Sequence, residues 1–259
     1  MDTFITVTSG KSNPCDFISN FIDSIDIHDG YEVALTGIYH GPLFNIDKEH
    51  NKFTLKKGAQ VVDYEIPPGF YQSTTHLVLA MYDVLVDEME DSTSIVKVEP
   101  EYSHRKYGAC TLKINDKGVK FFNNWDREGQ TGLLQHFGYY LTAEFTTLEV
   151  AHEHLGTSTE PTFIYSNIVS NSIVDDQQSR LLACAPLKTV EGYCHHEFSN
   201  PSYRPLRVNS FTDISFQMRN VDGKLIQIDY MERMNKFKEE FIIRYPTIMI
   251  LHVRKRSIG

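Results

Sequence analysis

Between Phe211 and Arg219 the chain alternates without a break. Phe211, Asp213, Ser215, Gln217 and Arg219 fall on one side, and Ile214, Phe216 and Met218 on the other. A two-residue period of that length is a strand with one buried and one wet face. Asp222-Gly223 follows, then a second alternating run, Lys224 to Ile228, so the sequence predicts an antiparallel hairpin near the C-terminal end. It is entered through a loop, Phe198 to Val208, stiffened by Pro201 and Pro205 and carrying Tyr203.

The same signals recur along the chain. Strands are predicted over Thr3–Thr8, Tyr31–Tyr39 (Val33, Leu35 and Tyr39 in line), Lys52–Leu55, Val61–Ile66, Ile95–Val98, Ala109–Ile114 and Val119–Phe122, the last two joined as a hairpin by Asn115 to Gly118. Leu141–Val150, Thr162–Val174, Ser179–Leu187 and Pro246–Val253 continue the series. Phe17 to Ile27, whose apolar spacing changes from four to two, reads as a loop settling into a strand. One helix is clear: Ser73, Thr74 or Thr75 caps it, and Val78, Met81, Tyr82, Leu85 and Met89 form one apolar stripe. Gln130 to Tyr140 reads as a short helical turn with Leu133, Leu134 and Phe137 inward, and the charged stretch Met231 to Tyr245 as a helix or an excursion. Nine to eleven short strands with small helices make an all-β chain. The expected architecture is a single jelly-roll antiparallel β-sandwich over residues 1–259, one domain, with one or two small helices in the excursions.

Composition narrows the function. A net charge of −9 argues against a general nucleic-acid binder. No run of about 18 apolar residues is present, so no membrane span is expected. The N-terminal stretch has neither a basic region nor an apolar one, so no signal peptide is expected. Cys15, Cys110, Cys184 and Cys194 are scattered and read as reduced thiols of a protein that folds in cytosol or nucleus.

Chemistry-bearing patterns are sparse. Gly10-Lys11-Ser12 lacks the earlier glycine of a phosphate loop and reads as a strand-ending turn. The acidic run Asp87 to Asp91 at the helix end reads as a solvated face. Cys194, His195, His196 and Glu197 are competent zinc ligands, with His152 and His154 as further candidates, but neighbours on a strand face opposite ways and at most two of the four can converge. His152 and His154, at i and i+2, also suit a cupin-like metal enzyme, yet the next acid, Glu160, is too far along and the second cupin motif is missing. No nucleophile elbow occurs. Catalytic, cofactor and metal residues are therefore expected to be none. Arg254-Lys255-Arg256 reads as a basic tail able to touch phosphate.

Motif by motif, the sequence resembles the penton (minor capsid) proteins of Maverick/Polinton elements and related adintoviruses. Their F-x-V-T-L-x-S is answered by Phe4 to Ser9, and their L-x-G-x-W-E-V-A-L-x-E-I by Ile27 to Ile38. P-G-x-Y-x-S appears as Pro68 to Ser73, and Y-x-x-I-V as Tyr165 to Val169. F-x-x-P-x-Y-x-P-L appears as Phe198 to Leu206, the following strand as Phe211 to Gly223, and L-H-F-R-R as Leu251 to Lys255. Y-P-x-x-W is loosened to Tyr39 to Phe44, L-L-R becomes Leu181-Leu182-Ala183, and 229–245 is longer than usual, departures that bear on the outer loops and their contacts rather than on the fold. The resemblance implies a structural protein and no enzyme: a jelly roll that closes into a homo-pentamer at the fivefold vertex of an icosahedral capsid. Its partner there would be a double-jelly-roll major capsid protein, with genome contact through the basic tail. Its place would be the virion, after assembly in host cytoplasm or nucleus. Alternatives of other classes are a ligand-binding spike and the cupin-like enzyme.

Overall fold

The computed structural model describes residues 2–27, 30–48, 50–88, 95–103, 106–114, 118–123, 133–137, 143–150, 155, 161–174, 177–187, 192–228, 231–232 and 243–256. Residues 1–43 and 157–259 form one compact unit, and 44–156 form a second. The sequence carries no linker-like composition at either junction, which is why it reads as one domain.

The first unit opens with β1 (Thr3–Thr8), which buries Ile5 and Val7 between exposed neighbours. A turn through Gly10 (φ 55°) follows, held by the Ser12 N–H on the Ser9 carbonyl. It leads into a strand rather than a helix, so the Gly-Lys-Ser stretch has no phosphate-loop geometry. β2 (Asp16–Asp26) and β3 (Tyr31–His40) come next. The chain then enters the second unit and returns with β11 to β20.

Within the second unit, β4 (Lys52–Lys57) and β5 (Gln60–Glu65) form a hairpin. α1 (Thr74–Glu88) follows, capped by Ser73, whose Oγ accepts the His76 N–H at 3.4 Å. Then come β6 (Ile95–Ser103), β7 (Lys106–Ile114), β8 (Val119–Asn123), a 3-10 turn (Leu133–Phe137), β9 (Ala143–Phe145) and β10 (Thr147–Val150). Leu77, Val78, Met81 and Leu85 of α1 are fully buried with Phe121, Leu133 and Leu148 in a core of their own. The expected β7–β8 hairpin does not form: β7 lies between β6 and β10, and β8 between β4 and β9. A turn signal marks where a chain reverses, but partners on both flanks decide what a strand pairs with. Met89 to Asp91, the end of the acidic run, lie outside the described residues, as do 115–117.

The return path runs β11 (Pro161–Ser166), β12 (Ser172–Val174), β13 (Gln177–Ser179), β14 (Leu181–Pro186), β15 (Cys194–Glu197), β16 (Arg204–Pro205), β17 (Ser210–Arg219), β18 (Met231–Glu232), β19 (Ile243–Arg244) and β20 (Ile248–Lys255). One sheet has the order β1-β20-β3-β15, with β16 also on β3, and the other β14-β11-β17-β2. Counted over these eight principal strands in chain order, the sheets are first-eighth-third-sixth and fifth-fourth-seventh-second. Every pairing is antiparallel. This interleaved order is that of a jelly roll, two Greek keys folded face to face. Ile5, Val7, Val33, Leu35, Met249 and Leu251 from one sheet meet Phe17, Ile164, Ile214, Phe216 and Met218 from the other in a single core.

Two local differences from the sequence reading come from register shifts within strands. On β3, Leu35 pairs with Leu251 and Gly37 with Ile250, leaving Thr36 as an extra residue. The alternation resets there, so Ile38 and His40 are buried and Tyr39 turns outward. On β17 a register shift between Phe211 and Asp213 places Phe211 with the buried Ile214, Phe216 and Met218, not with Asp213. The same shift passes over residues 21–24 of β2, the remnant of the expected loop, and Ile22 there is wholly exposed. The run from Lys224 is no strand. Its turn is made, with Gly223 at φ 75° and Asn220 Oδ1 accepting the N–H groups of Asp222 and Lys224, and it is followed by isolated bridges at Leu225 and Ile228 and by the Ile226 N–H on the Met218 carbonyl rather than by a continuous strand. The flanks of β17 are already taken by β11 and β2. The expected single strand over 162–174 breaks at a turn after Ser166.

Candidate assembly surface

The outward face of the β1-β20-β3-β15 sheet is aromatic and basic where a solvated face would be polar. Phe4, 65% exposed, pairs with His252 across β1 and β20, and the two rings stack at 4.6 Å. β15 and β16 both bond the same edge of β3, Glu197 opposite Gly37 and Arg204 opposite Val33. Residues 198–203 must therefore span a gap of three β3 residues with six of their own, and they arch over the sheet. Tyr203 is the keystone: its hydroxyl lies 2.6 Å from His252 Nδ1 and the Arg254 guanidinium sits 3.4 Å above its ring. Arg254 Nε in turn donates to Glu32 Oε1 at 2.8 Å, across the β20–β3 pairing. Farther along the face, His195 stacks on Tyr39 at 4.1 Å, and Tyr193 lies between Tyr39 and Tyr245.

The candidate metal ligands separate as strand geometry requires. His195 and Glu197 face out, while Cys194 is buried opposite His40, and His196 follows it inward, opposite Ile38 and with its edge on Phe198. Among the described residues no three His, Cys, Asp or Glu side chains are grouped to hold a metal ion. His152, His154 and Glu160 lie outside the described residues. The basic tail is in part strand: Arg254 and Lys255 belong to β20, Arg254 is committed to Glu32 and Tyr203, and the Arg256 N–H donates to the Gly30 carbonyl at 2.7 Å. Of these three tail residues, Lys255 and Arg256 are exposed.

The chain is similar to the mavirus penton protein. The crystal structure of that protein superposes with a TM-score of 0.48 at 11% sequence identity, over 98% of each chain. No protein-family model and no curated protein matches the sequence.

His40, missed in the sequence because the bulge changes its face, is a buried titratable group on this sheet. It is 1% exposed and its Nδ1 donates to the Gly41 carbonyl at 2.6 Å. Burial drives its pKa below 6.5, with the Gly41 bond opposing and the nearby His196 assisting. The unfolded chain therefore takes up this proton near pH 6.5 while the folded chain resists it. The His40 contribution is whole above that pH and is lost as pH falls through the lower folded value. The unfolding free energy from urea titration is expected to fall between pH 7 and pH 5, by up to about 1.4 kcal/mol per pH unit from this group. His40→Gln should remove that part of the slope, and an unchanged slope would contradict the assignment.

Thiol chemistry is equally specific. Cys15, 1% exposed, has its pKa pushed up to about 12, first by burial and then by Asp16, against a backbone hydrogen bond from Ile228. Cys194 is also buried, whereas Cys184 is exposed. Brief treatment of folded protein with iodoacetamide, read by peptide mass spectrometry, should label Cys184 and spare Cys15 and Cys194 until denaturant is added.

Proposed function

We propose that the chain is a capsid protein of the penton type, both of its units belonging to one subunit of residues 1–259 that closes into a homo-pentamer at an icosahedral vertex. The observation that carries this reading is a convergence. Three segments that resemble penton motifs, Ile27–Ile38, Phe198–Leu206 and Leu251–Lys255, meet at one place through Glu32, Tyr203, His252 and Arg254. Residues more than two hundred positions apart thus form one cluster on a jelly roll, and the motifs act as one structural unit. A five-membered ring is head-to-tail, so each subunit presents two different complementary patches. The exposed aromatic face around Phe4 and Tyr39 supplies a surface of the right kind for one of them. The ring is built to seat against a double-jelly-roll major capsid protein, with Lys255 and Arg256 free to contact the genome. Its place is the virion, after assembly in host cytoplasm or nucleus. It carries no catalytic role.

Light scattering after size exclusion, with micrographs of the same peak, tests the reading. A species near five times 29.8 kDa forming five-lobed rings is expected. A clean trimer would favour a ligand-binding spike. A monomer that stays monomeric beside the co-expressed major capsid protein, and carries stoichiometric metal, would favour the cupin-like enzyme.

A further inference from the structure

The outward face of the β14-β11-β17-β2 sheet holds a cavity with a different chemistry. β11 and β14 run in register from Pro161 opposite Pro186 to Ile164 opposite Ala183, then slip, so that Tyr165 faces Leu181. Past the slip the Ser166 N–H donates to the Arg180 carbonyl at 3.1 Å, which holds Arg180 against the end of β11. On the other flank Tyr165 pairs with Gln217 of β17, between Ser215 and Arg219 on the same face. With Asn167, these residues line a cavity of about 370 Å3.

Its donors outnumber its acceptors. The Arg180 guanidinium and the hydroxyls of Tyr165 and Ser215 make no hydrogen bond or ion pair with any described residue. Arg219 is fixed by neutral groups alone, Nε and Nη2 on Gln217 Oε1 at 3.4 and 3.0 Å and Nη1 on the Gly223 carbonyl at 2.5 Å. The amide oxygens are already used: Gln217 Oε1 by Arg219, and Asn167 Oδ1 by the Ser215 N–H at 2.9 Å. The bordering acids are Asp213, held by Asn167 Nδ2 at 3.1 Å, and Asp16, held by Gln217 Nε2 at 3.3 Å. Two cations without a carboxylate partner, on a chain of net charge −9, are a local exception that a bound anion would neutralise. The two border carboxylates disfavour a multiply charged phosphate, and the Arg180 guanidinium, with its donor fork unused among the described residues, matches a planar two-oxygen acceptor.

We propose that this cavity binds a carboxylate, presented by an acidic side chain or a C-terminus of a polypeptide. The site does not depend on the capsid reading. Titration calorimetry of the full chain in chloride buffer tests it with three probes: N-acetylglutamic acid amide, carrying only the side-chain carboxylate; N-acetylglycine, carrying a terminal one; and inorganic phosphate. Binding of one or both carboxylates with Kd on the order of 1 mM or tighter is expected. The tighter of the two identifies side chain or terminus as the source. Arg180→Ala and, separately, Arg219→Lys should each weaken it tenfold or more. Arg180 makes no side-chain bond among the described residues, so its variant should melt with wild type and separate loss of binding from loss of fold. Phosphate binding in preference to both carboxylates, no carboxylate binding at 20-fold that concentration, or affinity indifferent to both variants would each overturn the proposal.

Discussion

Leu251→Asp should leave the jelly-roll unit unable to fold, whereas Ile250→Asp, one residue earlier, should express as folded protein. Leu251 is fully buried on β20, which lies between β1 and β3. Its side chain enters the core shared with Val33, Phe216 and Met249. An aspartate there must either keep its charge without a partner or bind a proton far above its ordinary pKa. Either cost is on the order of several kcal/mol, comparable with the roughly 5–15 kcal/mol that holds a domain together. Ile250 pairs with Gly37 at the bulge and points to the half-exposed outer face, where water reaches a carboxylate. Circular dichroism and urea titration of the two variants give the comparison. Equal damage from both would mean that the strand's faces are wrongly assigned.

Phe216→Ala is the second large effect. The ring is fully buried at the centre of the other sheet, 5.3 Å from the ring of Phe17, which β2 brings opposite it. Deleting it removes the transfer free energy of an aromatic side chain and leaves a cavity that close-packed neighbours only partly fill. The cost is about 3–5 kcal/mol. Phe211→Ala, whose ring is 7% exposed at the end of the same strand, should cost less because water and Phe21 can close the gap. The urea midpoints should rank wild type, Phe211→Ala, Phe216→Ala in falling order, and a reversed order would place the centre of the core elsewhere.

Much of this architecture is local and therefore legible in the sequence. β1, β20 and the inward residues of α1 follow from side-chain period alone, and the turn at Asp222-Gly223 follows from its residues. What was not legible depends on distant parts of the chain. An extra residue such as Thr36 looks like any other strand residue, yet it changes which of Tyr39 and His40 is buried. The choice of β10 rather than β8 as partner for β7, and the division at residues 44 and 156, are settled by packing on α1 and its neighbours. The Tyr203 cluster was legible as separate motifs, because Tyr203, His252 and Arg254 sit in segments that stand out. Their meeting was not, since no period connects residues 49 positions apart. Arg180 and Arg219 carried no signal at all. Each is an ordinary strand-end cation until the slip between β11 and β14 brings both to one cavity.

The strand order also dictates a timetable for a chain made from its N-terminus. Among the described strands, β1 pairs with β20, β3 with β15, β16 and β20, and β2 with β17. Every ladder that residues 3–40 enter therefore waits for partners between 194 and 255, whereas all ladders of the second unit close between residues 52 and 150. On the ribosome the later-starting unit can be complete while the first three strands remain open edges, the kind of exposed template that chaperones shield. The strand that emerges last becomes the middle of its sheet, so the ribosome delivers the jelly roll all at once rather than strand by strand.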